Sequence, residues 1–187
     1  MGHYLDIQLL PDPEIAAHQL LAALYGKLHR VLAAQGCSTI AVSFPDYAEH
    51  PAQLGQRLRL IGPQSSLGQL MAQDWLGGLR EHVVIRQIDT VPPHAVARAL
   101  RRVQAKSNPD RLRRRQMARH GLSASQAVQQ VPDTVAERLH LPFLQLGSAS
   151  TGQRFRLYLR LGPPVAHAVD GTFNTYGLSI AATVPHF

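Results

Sequence analysis

Leu20, Leu21, Leu24, Leu28, Val31 and Leu32 keep helical spacing between Glu14 and about Ala34, and this stripe constrains the fold more than any other feature. A helix with one apolar face must lie on something that buries it. The segments around it are β-like. "HYLDIQLL" (3–10) alternates in part and is broken by Pro11-Asp12-Pro13, while "STIAVSF" (38–44) follows the helix. After a loop at "PDYAEHPAQLG", "QRLRLIG" (56–62) alternates as a strand. "SSLGQLMAQDWLGGL" (65–79) reads as a second helix with Leu67, Leu70, Met71 and Trp75 inward, and "HVVIRQIDTV" (82–91) as a fourth strand. The order βαββαβ over the first ninety residues is the ferredoxin-like arrangement. The expected class is therefore α+β, with a ferredoxin-like domain over residues 1–92 and a boundary at Pro92-Pro93.

Charge separates the two parts. Residues 1–90 hold six Lys and Arg against eight Asp and Glu, whereas residues 91–187 hold thirteen against four. A near-neutral part joined to a strongly basic one suits a scaffold carrying a polyanion-binding face. Seventeen of the nineteen basic residues are arginine. A guanidinium offers a planar fork to phosphates and guanine edges and a flat face for stacking, which favours nucleic acid over a membrane surface. No apolar run approaches the roughly 18 residues that span a bilayer, and the N-terminus lacks a basic-then-apolar leader. The single cysteine, Cys37, fits a reducing cytoplasm and reads as a small core or loop residue.

Residues 93–187 read as a basic domain. "RALRRVQAKS" (98–107) is extended or irregular. The arginines concentrate in "NPDRLRRRQMARHG" (108–121). Asn108 can cap a helix, Pro109 suits its first position, Asp110 complements its positive end, and Gly121 stops it. Arg111, Arg114, Arg115 and Arg119 share one face, with Leu112 and Met117 elsewhere. Too few acids stand nearby to pair with that stripe, so an external anion is the natural partner. A shorter helix starts at Ser123, and Pro132-Asp133 marks another possible start. The end of the chain is β-like: "LPFLQLGSAS", "RFRLYLRLG" (154–162) and "GTFNTYGLSIAATV". In the middle run, arginines alternate with Phe155, Leu157, Leu159 and Leu161, so one strand face is basic and the other apolar.

No Walker loop, GxGxxG, CxxC or HExxH is present, and the ten histidines are dispersed without zinc-ligand spacing. No cofactor or metal is expected. A metal-free cut of nucleic acid requires RNA, whose 2′-OH can attack the neighbouring phosphate once a base removes its proton and the hydroxyl is held in line. Histidine is the usual base near neutral pH. His29, in "YGKLHRVL", lies off the apolar stripe and alone reads as an exposed helix histidine. "GSASTGQRF" (147–155) is a small-residue turn carrying Ser148 and Ser150, and "NTYGLS" (174–179) places Tyr176 before a glycine. Three readings stand open at this point: a metal-independent endoribonuclease, a non-catalytic RNA-binding subunit, and a DNA-binding module led by the basic helix.

Taken together and in order, "GKLH", "RVQAKSNPDRLRRR", "PDTVAERL", "LPFLQLGSAS", "STGQRFRLYLR" and "YGLS" resemble the CRISPR-associated precursor-processing endoribonucleases of subtype I-F, the Ypest subtype. The resemblance runs essentially end to end. It implies a metal-independent enzyme that cuts the repeat stem-loops of a precursor transcript and stays bound to the product. It also implies association with other subunits of a crRNA-guided complex. By the same resemblance His29 takes the 2′-OH proton, Ser148 orients that hydroxyl and Tyr176 positions the histidine. Arg102 and Gln104 match a pair that reads base edges at the bottom of the stem, and Phe155 an aromatic that caps the last base pair. Arg111, Arg114, Arg115, Arg119, His120 and Ser150 fall on the RNA-binding side. Ala118 departs from the pattern, where a further arginine can occur.

Overall fold

The computed structural model describes residues 2–104, 109–133, 139–148 and 152–187. The first part of the chain runs β1 (His3–Leu9), α1 (Ala17–Gln35), β2 (Ala41–Ser43), a short hairpin of β3 (Ala48–Glu49) and β4 (Ala52–Gln53), β5 (Arg57–Gly62), α2 (Gln64–Met71), β6 (Val83–Ile85) and β7 (Asp89–Thr90). These strands form a sheet in the order β2–β5–β1–β6, with β7 also on β1; its pairings are antiparallel. The later part holds β8 (Val96–Val103), α3 (Pro109–His120), α4 (Ala124–Gln130), β9 (Phe143–Gly147), β10 (Arg154–Val165) and β11 (Val184–His186). Its sheet has the order β11–β8–β10–β9. The class is α+β, as expected. Among the described residues no helix is long and apolar enough to cross a membrane.

Packing divides the chain into residues up to 102 together with 141–187, and residues 103–140. The expected boundary at Pro92 falls between the two sheets, whereas the compact units interleave along the chain. In the first unit the α1 stripe is buried at Leu20, Leu21, Leu24, Leu28 and Leu32, with Tyr25 added to it. It meets Leu5, Ile7 and Leu9 of β1 and Leu58 and Leu60 of β5 in one continuous core that also takes in Leu144, Leu146, Leu157 and Leu159. In the second unit α3 packs on α4.

Several expected elements differ. The second helix ends at Met71, eight residues early, and the chain continues through turns in which Gly78 has φ +73°. Trp75 is nonetheless buried, in the turn that follows. The strand expected over 82–91 is two pieces preceded by a 3₁₀ turn at Arg80–His82. Ile85 pairs with Ile7 but Asp89 pairs with Tyr4, so this edge carries one residue more than β1 between the two pairs, a β-bulge. The stretch expected to be extended or irregular from residue 98 is extended as far as Val103, in the inner strand β8, whereas most of "GTFNTYGLSIAATV" is turn structure, with only β11 paired. Gly121 stops α3 with φ +62° and donates its N–H to the Met117 carbonyl. Ser123 caps α4 in a reciprocal capping box with Gln126. Asn108 and the segment after Asp133 lie outside the described residues.

One face of the first sheet buries charge. Asp6 and Arg59 are opposite one another in the β1–β5 register and are 7% and 3% exposed. Arg59 donates Nε to Oδ1 and Nη2 to Oδ2 of Asp6, both at 2.7 Å, and Nη1 to the Phe187 carbonyl at 2.7 Å. Its guanidinium lies 3.6 Å from the Phe187 ring centroid and 4.7 Å from that of Tyr4. Removing Arg59 takes away both short hydrogen bonds of the buried carboxylate and leaves it only the longer contact with Arg57 Nη1 at 3.7 Å. Arg59→Ala is expected to lower unfolding stability by about 3–5 kcal/mol, measured by urea titration. The double change Asp6→Asn with Arg59→Met should recover part of that loss, because no uncompensated charge remains.

Candidate active site and arginine surface

Tyr25 and His29 are four residues apart on α1 and therefore share a face. Tyr25 is fully buried and its hydroxyl donates to the Tyr176 carbonyl at 2.7 Å. Burial pushes this phenol above the usual tyrosine range, the neighbouring Tyr176 phenol adds to the shift, and the Arg102 charge offsets part of it. Tyr25 thus remains a protonated donor. The Tyr176 ring stacks with both: its centroid is 6.4 Å from Tyr25 at 21° and 3.8 Å from His29 at 7°. His29 Nδ1 stands 2.9 Å from the Thr175 carbonyl oxygen. A carbonyl only accepts, so Nδ1 carries the hydrogen and the neutral ring leaves Nε2 as its basic nitrogen. The histidine that reads alone as an exposed helix residue is half-buried and held by its face and by one nitrogen.

What holds it is a turn without regular secondary structure. Asn174 Oδ1 accepts the N–H groups of Tyr176 at 2.9 Å and Leu178 at 3.2 Å. Its backbone accepts from Gly177 and donates to the Leu178 carbonyl. The turn is tied to the rest of the unit by Phe173 N–H to the Ser38 carbonyl and Val42 N–H to the Gly177 carbonyl, both at 3.0 Å. Gly177 has φ +67°, and a Cβ there would lie 2.6 Å from Val42 Cγ1. Only glycine meets both conditions. Asn174 was not among the residues singled out in the sequence; the available signal was the turn-forming pair Asn and Gly three apart in "NTYG". Asn174→Ala should free the turn and let the His29 ring sample both tautomers. Nitrogen-15 NMR of the histidine ring is expected to show Nδ1–H in the parent and in Asn174→Asp, and an averaged pattern in Asn174→Ala.

The other residues of interest in this unit sit on the second sheet. Ser148 follows β9 and is half-buried in a tight turn, its N–H donating to Gln153 and its carbonyl accepting from Gly152, both at 2.8 Å. Ser150 lies outside the described residues. Helix α1, which carries His29, packs against β9, which leads into Ser148. Arg102, near the end of β8, is exposed, with its guanidinium 5.9 Å from the Phe155 ring centroid. Phe155 is the second residue of β10, on the face of the buried leucines. The structure therefore brings His29, Tyr176 and Tyr25 into contact, and joins Arg102 to Phe155. Arg102 is also the charge felt at Tyr25.

In the 103–140 unit, Gln104 is exposed just after β8. On α3 the side chains of Arg111, Arg114, Arg115, Arg119 and His120 are exposed, as is Ala118. Arg113 is turned the other way. Its Nε donates to the Val131 carbonyl at 2.9 Å, and its two terminal nitrogens reach Asp133 at 2.6 Å and Asp110 at 3.4 Å. This one arginine is structural, tying α3 to the end of α4, while Leu112 and Met117 are half-buried. The exposed stripe is the one expected from the spacing. Among the described residues no group of three His, Cys, Asp or Glu side chains is placed to hold a metal ion.

Residues 4–187 match the family model described as CRISPR-associated protein (Cas_Csy4). The chain is 51% identical over 187 residues, all of both chains, to the CRISPR-associated endonuclease Cas6/Csy4 of Pseudomonas aeruginosa (strain UCBPP-PA14). It is 43% identical over 187 residues, again all of both, to the protein of the same name from Escherichia coli (strain UTI89 / UPEC). A match that leaves out only the first three residues, with end-to-end likeness to two such proteins, places this chain in the Cas_Csy4 family of CRISPR-associated proteins.

Proposed function

We propose that this chain is an endoribonuclease that binds the repeat stem-loop of a CRISPR precursor transcript and cleaves it through the ribose 2′-OH. The products are a 2′,3′-cyclic phosphate and a 5′-OH, and the processed RNA stays bound. The observation that carries this reading is the His29 ring, fixed by Thr175 and Tyr176 with Nε2 left basic. In this reading Nε2 takes the 2′-OH proton and Ser148 holds that hydroxyl in line with the phosphate. Tyr176 positions the base through its ring face, so Tyr176→Phe should keep most of the rate. No step requires a metal ion or cofactor.

Arg102 and Gln104 read base edges at the bottom of the stem and Phe155 stacks on its last pair. Arg111, Arg114, Arg115, Arg119, His120 and Ser150 grip the RNA. The deep groove of long A-form RNA excludes side chains, so an arginine helix suits a short stem whose end or loop opens the groove. The strand order β2–β5–β1–β6, with α1 and α2 as its helical connections, supports reading residues 1–92 as ferredoxin-like. The strands of the other sheet, and thirteen of the nineteen basic residues, follow residue 92, which supports a basic RNA-binding part over 93–187. In this reading the protein works in the cytoplasm, with other crRNA-complex subunits as neighbours.

His29→Ala should slow single-turnover cleavage of the cognate stem-loop by roughly 10²–10⁴-fold with affinity near that of the parent. A substrate with 2′-deoxyribose before the cut should bind and stay intact, and cleavage by the parent should persist in excess EDTA. An unchanged rate in His29→Ala, or a strict Mg²⁺ requirement, would remove the mechanism.

The grip is separable from the chemistry. Replacing Arg114, Arg115 and Arg119 together by Ala should weaken matched and mismatched stems alike. It should also flatten the slope of log K against log salt by about 0.7–0.9 per lost phosphate contact. Circular dichroism should match the parent, since these side chains are exposed and Ala favours the helix.

A further inference from the structure

Strand β10 has an inner face built into the core and an outer face, and the proposed function uses only Phe155 of the strand. Leu157, Leu159 and Leu161 are buried and Phe155 partly so, while the alternate positions Arg154, Arg156 and Arg160 are exposed and Tyr158 is half-buried. β9 repeats the pattern, with Leu144 and Leu146 inward and Phe143, Gln145 and Gly147 outward. The register sets Tyr158 beside Phe143, Arg156 beside Gln145 and Arg154 beside Gly147. The outer face of this pair thus runs Arg154, Arg156, Tyr158, Arg160 along β10, with Phe143 of β9 beside the tyrosine.

The rings and the middle arginine form one assembly at the surface. Phe143 is 40% exposed. The Arg156 guanidinium lies 4.7 Å from its centroid, and the Tyr158 ring lies 5.4 Å away at 57°. Arg156 Nη1 donates to the Tyr158 hydroxyl at 3.4 Å. Among the described residues no carboxylate forms an ion pair with Arg154, Arg156 or Arg160. Glu49 accepts from the Tyr47 hydroxyl at 3.0 Å, and the Arg160 charge also acts on that phenol. Arg154 and Arg156 are neighbouring outward positions, ~6.6–6.8 Å apart along the strand, and repel each other unless an anion answers them.

We propose that this outer face binds single-stranded RNA flanking the stem. A single strand offers phosphates at extended spacing to the arginine row and unstacked bases to an exposed aromatic–guanidinium platform. A paired stem buries its base faces and offers only the phosphates, which favours the unpaired flank as the occupant. Position gives the second reason. Arg154 pairs with Gly147, the residue before Ser148, so the row starts at the turn where the proposed function places the reacting hydroxyl. This inference rests on that reading of the Ser148 turn as an RNA site. It assigns Phe155, the partly buried residue at the start of the inner face, to the end of the stem, and the outward arginines to the chain beyond it.

The test compares two uncleavable 2′-deoxy stem-loops, one bare and one with single-stranded flanks on both sides. Binding is measured across a salt series with the full-length protein. The parent should bind the flanked RNA more tightly and with a steeper salt slope. Replacing Arg154, Arg156 and Arg160 together by Ala should abolish that difference, lowering the slope for flanked RNA by about 0.7 per lost contact, while the bare stem-loop binds as before. Phe143→Ala, at an exposed position, should weaken only the flanked RNA, by roughly 5- to 100-fold if one base stack is lost. Flanks that add nothing to parental binding would overturn the inference, as would a flank effect that survives in the triple variant. The second result would leave this face to a protein partner. Equal weakening of both RNAs would also overturn it, by moving these arginines to the stem. Parental binding of the bare stem-loop tests the underlying RNA reading separately.

Discussion

A carboxylate in the middle of a sheet is tolerable only when a cation meets it, and Asp6 is met by Arg59 on the adjacent strand. The arginine has a donor left over after its fork engages both Asp6 oxygens. That donor takes the carbonyl of Phe187, and the Phe187 ring covers the guanidinium. Neutralising one buried charge therefore draws the last residues of the chain onto the first sheet. β11 completes the attachment by pairing with β8, and Val169 and Thr183 close the intervening segment through three hydrogen bonds. The 173–178 turn hangs between these fixed points. It has no ladder of its own, yet its backbone is held by Asn174 from within and by Ser38 and Val42 from outside. The orientation of His29 follows from that sequence of constraints.

How much of this is legible in the sequence depends on whether a signal is local. The α1 stripe, the Ser123 cap, the Gly121 stop and the two-faced strand of alternating Arg and Leu are set by neighbours within one or two turns, and each stands where the pattern puts it. The bulged edge at 83–90 and the early end of α2 are not local in this sense. Their extents depend on where β1 can accept partners and on a turn that still buries Trp75.

The site shows the same division more sharply. His29 is outside the apolar stripe, and its local context gives no reason to bury it. Its partners Thr175 and Tyr176 lie about 150 positions away. Tyr25 was the nearest available hint, since an aromatic four residues from a histidine shares its face, but its hydroxyl is directed at a backbone carbonyl that no periodicity reveals. "GTFNTYGLS" looks like strand because it is rich in aromatic and β-branched residues. It folds as a turn because the Asn174 side chain offers the backbone a closer partner than another strand does. The resemblance to a family supplied Tyr176 and Ser148, and could not supply Asn174, whose role is purely to shape the chain.

In the proposed function, gripping and cutting fall on different groups, and this has a consequence for turnover. The stripe on α3 neutralises phosphates of a stem that is the same before and after the cut. Such contacts bind substrate, transition state and product alike, so they lower the free energy of every bound state together and add nothing to the chemical step. Acceleration is left to His29 and Ser148, which act only at one phosphate. An enzyme arranged in this way cuts once and then holds its product, because the interactions that recruited the precursor persist in the processed RNA. Retention of the product is then a direct result of where the arginines are placed relative to the bond that breaks.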